Sequence, residues 1–150
     1  MLTRLTDHPE SVSNPGYGRD KSAGRGYDGE RLLVDHYDGW ETDRTYIWDI
    51  AMGDRYDADH AEAKTVADYV WDVSLGRCMI GPSNPNDLLR DNLENEYVIL
   101  VVDPRSTEVK RWFRVRAEDV WTAGYGRGKT PDYPTWRQLH ALPLVEDCEP

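Results

Sequence analysis

Phenylalanine occurs once in the 150 residues, cysteine twice and lysine four times, and each scarcity excludes something. With one Phe, the aromatic content rests on nine Tyr and six Trp, rings with a polar edge that suit a wet interface as well as a core. Cys78 and Cys148 stand in no CxxC or metal-ligand spacing, which argues against a zinc module and a disulfide-dense scaffold. Free thiols are expected. No run approaches the ~18 apolar residues of a membrane-spanning helix, and the first apolar run is too short for a signal peptide. The expectation is an intracellular protein, cytoplasmic or part of a virion, with no membrane partner. There is no Gly-x-Ser-x-Gly elbow, and neither Cys has a His nearby in sequence, so nucleophilic catalysis has no support.

An excess of positive charge is also missing. The net charge is −10, which argues against a general binder of polyanions. The charge is divided along the chain. Residues 35–72 hold eleven acids and three bases, whereas residues 105–129 hold seven bases and three acids. One stretch suits a basic partner and the other an acidic one. Arg outnumbers Lys fourteen to four.

Residues 1–29, with SNPGYGRDKSAGRGYDG, show no apolar period and are expected to form an irregular Gly-rich arm. Residues 30–150 then form a single α+β domain. RLLVDHYDG (31–39) and RTYIWDIAM (44–52) have the β-branched and aromatic content of a hairpin. Asp59 and Glu62 fit a capping box, with a helix to Leu75 carrying Val66, Tyr69, Val70 and Val73 and ending at Gly76. A short helix is expected over 84–93. YVILVV (97–102), the most apolar run, predicts a central strand ended by Asp103-Pro104. VKRWFRVR (109–116) alternates, and DPRSTE between the two runs predicts a second hairpin. A last helix starts near Pro134. The expected architecture is α+β, a mostly antiparallel sheet of two β-hairpins with about three helices.

Three motifs offer binding chemistry. From Ala123 to Thr130 the chain fits a loosened phosphate-loop pattern, but Pro131 and Pro134 forbid the long helix that such a loop must open. More informative is its near-repeat: GYGRDK at 16–21 against GYGRGK at 124–129. Tyr17, Arg19 and Lys21, with Tyr125, Arg127 and Lys129, offer a ring and two cations beside glycines, a set that can grip phosphate and stack on a base. Alternation in 109–116 places Lys110, Trp112, Arg114 and Arg116 on one strand face, a second basic-aromatic surface, with Val109, Phe113 and Val115 on the other. His36, Asp57, Asp59 and His60 are candidate ligands for a divalent metal.

No catalytic motif is complete. The reading is a non-catalytic protein-protein interaction protein without a cofactor. It is either an assembly subunit, a virion or complex component that pairs with itself, or an acidic inhibitor or adaptor of a basic partner. The alternatives are a nucleotide or nucleic-acid module using the two GYGR loops and the 110–116 face, and a metal-dependent enzyme using the Asp/His clusters.

Overall fold

The structure, a computed structural model, describes residues 4–7, 21–42, 50–53, 60–70, 74–81 and 94–148, with the side chains of 21–24 outside that set. A six-stranded mixed sheet runs in the order β1-β2-β3-β6-β7-β8, built from β1 (Glu41–Thr42), β2 (Ile50–Ala51), β3 (His60–Ala67), β6 (Glu96–Val102), β7 (Val109–Arg116) and β8 (Leu144–Cys148). A small hairpin pairs β4 (Tyr69–Val70) with β5 (Ser74–Leu75). Helix α1 (Lys21–His36) covers one sheet face, where Leu32 and Leu33 pack on Val98, Leu100, Val102 and Trp112. Helices α2 (Ala117–Thr122) and α3 (Trp136–His140) cover the other, where Val120 and Leu139 pack on Ile99, Val101, Phe113 and Val115.

The α+β class and the mostly antiparallel sheet agree with expectation. All seven residues of β6 are buried, and β7 pairs with it antiparallel across the turn that DPRSTE predicts. Asp103 organises that turn: its Oδ1 accepts the amides of Arg105 at 2.8 Å and Ser106 at 3.2 Å. Those backbone donors hold the Asp103 carboxyl below its ordinary pKa. The chain's start docks here too, through a 3-10 turn over Leu5–Asp7 in which the buried Leu5 donates its amide to the Thr107 carbonyl at 3.0 Å.

Several elements differ from expectation. Residues 21–29 are helical rather than irregular, and 31–36 continue the same helix rather than forming a strand. Leu32 and Leu33 are both buried although adjacent, which a helix face permits and a strand's alternation does not. The first hairpin is displaced: Glu41–Thr42 pairs with Ile50–Ala51. Residues 60–67 are strand rather than helix, and β3 lies parallel to β6 over seven paired residues, from Ala61 opposite Glu96 to Ala67 opposite Val102. The Ala, Glu and Lys of HAEAKTVA favour helix locally, but tertiary pairing overrides so small a preference. Ala61 and Ala63 instead supply a low surface beneath α1, and a Cβ at Gly29 would collide with Thr65 Oγ1. Gly76 is no helix cap. It sits where a Cβ would strike the Ala67 carbonyl. The proposed cap Asp59, residues 44–49 of the second expected strand and the expected helix over 84–93 lie outside the described residues.

Candidate functional site

The stretch TAGYGRGKTP is organised by the end of α2. Gly124 takes φ +98°, which favours glycine, and donates its amide to the Trp121 carbonyl at 2.9 Å. Tyr125 donates to the Val120 carbonyl at 3.2 Å. These two bonds make a Schellman cap, with Tyr125 packed against the core that holds Val120. Gly126 donates its amide to Asp132 Oδ2 at 2.7 Å, which closes the loop. A helix precedes this loop, and the next begins only at Trp136, so the arrangement of a phosphate loop is not formed. Arg127 lies over the Trp121 ring, 5.1 Å from its centroid, and donates Nε to the Trp121 carbonyl at 2.7 Å. Lys129 is exposed. Of the first copy, Tyr17 and Arg19 lie outside the described residues, as does the side chain of Lys21, whose backbone opens α1.

The four residues of the expected basic face on β7 do not share one open surface. Trp112 and Arg114 are buried under α1, at 4% and 8% exposure, and neither is open to a nucleic-acid base. Arg114 donates Nε to Glu96 Oε2 and a terminal nitrogen to Glu146 Oε2, each at 2.7 Å. Tyr37 donates its hydroxyl to the same Glu146 oxygen at 3.1 Å and accepts Trp112 Nε1 at 3.1 Å. Cys148 donates Sγ to Glu146 Oε1 at 2.7 Å. Tyr37 stacks on Trp40 at 4.0 Å, and the Arg114 guanidinium lies 5.4 Å and 5.6 Å from those two ring centroids. Burial raises the Glu146 carboxyl, but the bonds from Cys148, Arg114 and Tyr37 outweigh it and leave Glu146 below its ordinary pKa. Burial lowers Arg114, yet its two carboxylates override this and hold it above its usual value. The Tyr37 phenol is raised by burial, and the Cys148 thiol is pushed by burial and then by Glu146 to about 12. Cys78, buried on the other face, is likewise raised by burial to about 12. Both cysteines are free and held as poor nucleophiles. In this cluster Arg114, Glu96, Glu146, Tyr37, Trp112 and Cys148 bond one another, a structural network.

Val109 also departs from the expected alternation. Val102 faces Val109 while Val101 faces Arg111, so Lys110 is an extra residue on β7. The bulge turns Val109 to the Trp112 side and pushes Lys110 outward, where it pairs with Glu108 at 3.3 Å. Arg116 is exposed at the end of the strand.

The candidate metal ligands are not brought together among the described residues, where no group of three His, Cys, Asp or Glu side chains is placed to hold an ion. His36 ends α1 and packs edge-on to Trp112 at 5.2 Å. His60 begins β3 and donates its amide to Asn95 Oδ1 at 3.2 Å. Asp57 and Asp59 lie outside the described residues. One charged pair does stand on β3: Glu62 and Lys64, two residues apart on one strand face, 3.2 Å from each other.

A surface that sequence reasoning missed lies beyond α2 and α3. Bridges join Arg77 to Thr135 and Ile80 to Asp132, so 77–80 and 132–135 form an antiparallel ribbon whose register sets Met79 opposite Tyr133. Cys78 and Ile80 turn into the core, while Met79 and Tyr133 stand out at 49% and 53% exposure. Arg77 bonds the Tyr133 carbonyl at 2.8 Å. The ribbon runs into α3, where Thr135 caps the helix in a reciprocal box with Gln138. Trp136 carries Arg137 at 5.3 Å and Arg111 at 5.8 Å from its ring centroid, and it donates Nε1 to the Asp68 carbonyl at 2.9 Å. Asp68 leads into β4, whose Tyr69 and Val70 are also exposed. The sequence signal available was the alternation of RCMI against DYPT, too short to read without its partner.

Among the described residues no helix is long and apolar enough to cross a membrane. No protein-family model matches this chain, and comparison with curated proteins finds no match either.

Proposed function

We propose that the chain is a non-catalytic interaction protein that docks on a protein partner through the outer face of the 77–80/132–135 ribbon. The observation that carries this reading is the side-by-side exposure of Met79 and Tyr133, the two most exposed large apolar side chains among the described residues. Tyr, Met and Arg are residue types enriched at protein interfaces, and here Met79, Tyr133 and Arg77 stand exposed on the ribbon, with Arg137 exposed just beyond it. The assembly-subunit version uses this face directly. The inhibitor version uses the acids of 35–72, and the nucleic-acid version has less support because Trp112 and Arg114 are covered. Native mass spectrometry of the full chain beside a Met79→Lys/Tyr133→Lys variant tests the reading. A complex, with itself or with a co-purifying polypeptide, should be lost in the variant while circular dichroism is unchanged. A complex that survives both substitutions refutes the docking face.

A second reading, a metal-dependent enzyme acting on a phosphate ester, draws on Glu62 and Lys64. A carboxylate that can ligate a divalent cation and an ammonium that can stabilise an anionic oxygen stand together on a rigid strand. It predicts Mg2+- or Mn2+-dependent cleavage of an oligonucleotide, lost in Glu62→Gln and in Lys64→Ala. Equal stability of the substrate with and without either ion removes it.

A further inference from the structure

We propose that the turn of residues 4–7 is an exchangeable plug: in an assembly, each copy seats it in the slot beside the β6–β7 turn of a second copy. This contact lies on the α1 side of the sheet, away from the ribbon, whose Cys78 and Ile80 enter the opposite core. Leu5 is fully buried in the core cluster that holds Leu33, Val102 and Val109. Its amide donates to the Thr107 carbonyl at 3.0 Å, and Arg4 stands in an antiparallel bridge with Glu108. The turn also meets polar groups of its own. Asp7 Oδ2 accepts the Arg4 amide at 2.9 Å, and the Arg4 carbonyl accepts the Asp7 amide at 3.2 Å. A preformed turn with an apolar anchor can leave one slot and enter another without remaking its inner bonds.

The receiving side is strained. Among the described residues, Thr107 at φ +61° is the one non-glycine residue in the left-handed region. A β-branched side chain makes that conformation costly, and such outliers persist where their surroundings hold them. Here the Thr107 amide donates to the Asp103 carbonyl at 2.9 Å, while its own carbonyl meets the plug. Residues 8–20 join Asp7 to Lys21. Fully extended, a stretch of that length spans about 45 Å. A domain of this size is roughly 40 Å across. Pro9 and Pro15 in the stretch favour extended chain over a compact return. The plug can therefore be delivered to its own slot or to a neighbour's, with the same bonds in each. Linker length and protein concentration, rather than new contacts, set the balance. Mutual exchange seats two plugs in two slots and closes a two-fold dimer.

Disulfide trapping in the full chain tests this. Arg4 and Glu108 are both exposed and face each other across the bridge, a spacing that a disulfide can span. An Arg4→Cys chain is mixed with a Glu108→Cys chain, each checked for an unchanged circular dichroism spectrum, and oxidised over a concentration series. The expected product is a dimer whose disulfide joins position 4 of one chain to position 108 of the other, located by peptide mass spectrometry. Its yield should rise with concentration. An Arg105→Cys chain is the control for register, because Arg105 is exposed on the same turn but is not opposite Arg4. Its dimer with the Arg4→Cys chain should form in several-fold lower yield. Equal yields at positions 105 and 108 overturn the inference, because chance collision then accounts for the dimer. So does the absence of a 4-to-108 dimer at every concentration while the doubly substituted Arg4→Cys/Glu108→Cys chain closes on itself, which confines the plug to its own slot. Failure of the doubly substituted chain to close, with no dimer from the mixture, removes the plug altogether.

Discussion

The two faces of the sheet solve the same packing problem with different chemistry. Under α1 the core is threaded by charge: Arg114 joins Glu96 and Glu146, and Tyr37, Trp112 and Cys148 complete the bonding. Under α2 and α3 the core is Ile99, Val101, Phe113, Val115, Val120 and Leu139, and the arginines stay at the surface on Trp121 and Trp136. Phe113 and Arg114 are neighbours on one strand and point into these opposite environments. A buried ion pair offsets its desolvation only when every partner is in place, whereas an apolar core degrades in proportion to the volume removed.

The largest test breaks both faces. Arg114→Met leaves two carboxylates uncompensated and should cost about 3–5 kcal/mol in urea unfolding. Phe113→Ala should cost about the same, by loss of burial and by the cavity left behind. The rescue separates them. Adding Glu96→Gln and Glu146→Gln to Arg114→Met should recover most of the loss, because no buried charge remains, while no polar substitution restores Phe113→Ala. Equal failure of both rescues would show that the network is not organised around its charge.

Acid sharpens the contrast with a smaller effect. Glu146 is held below its ordinary pKa of 4.5, so its contribution is present above that value and is lost as pH falls through the lower, folded one. Stability should therefore decline as the pH drops below about 4.5, and Glu146→Gln should flatten that part of the profile. An unchanged slope in Glu146→Gln would assign the acid sensitivity elsewhere. On the apolar side, Thr135→Ala removes the α3 cap and should cost about 1 kcal/mol by thermal or urea unfolding, with little dependence on pH. The smallest effect belongs to the bulge. Lys110→Ala breaks only a surface pair with Glu108 and should change stability by less than about 0.5 kcal/mol.

The exposed ribbon proposed for docking was illegible in the chain for a definite reason. Met79 and Tyr133 are 54 residues apart in number, and nothing near either announces the ribbon that sets them opposite one another. The near-repeat of GYGR was visible, but its second copy proves to be a helix cap whose arginine is held on Trp121. The acidic 35–72 stretch and the basic 105–129 stretch were both plain, although which charges are exposed was not.

What the sequence by itself determined is what local chemistry specifies. YVILVV dictates a fully buried strand, Asp103-Pro104 a turn that Asp103 organises through backbone amides, and Gly124-Tyr125 a left-handed exit from α2. Thr135 and Gln138 likewise close their own cap. In each case the residues that carry the signal lie within a few positions of the bonds they make. The tertiary structure alone decided that HAEAKTVA is a strand, that Arg114 faces inward, and that one extra residue at Lys110 turns Val109 to the other side. Those outcomes depend on partners far along the chain, β6 for β3 and Glu146 for Arg114. Their pairing energies exceed the few tenths of a kcal/mol per residue by which local preference distinguishes helix from strand.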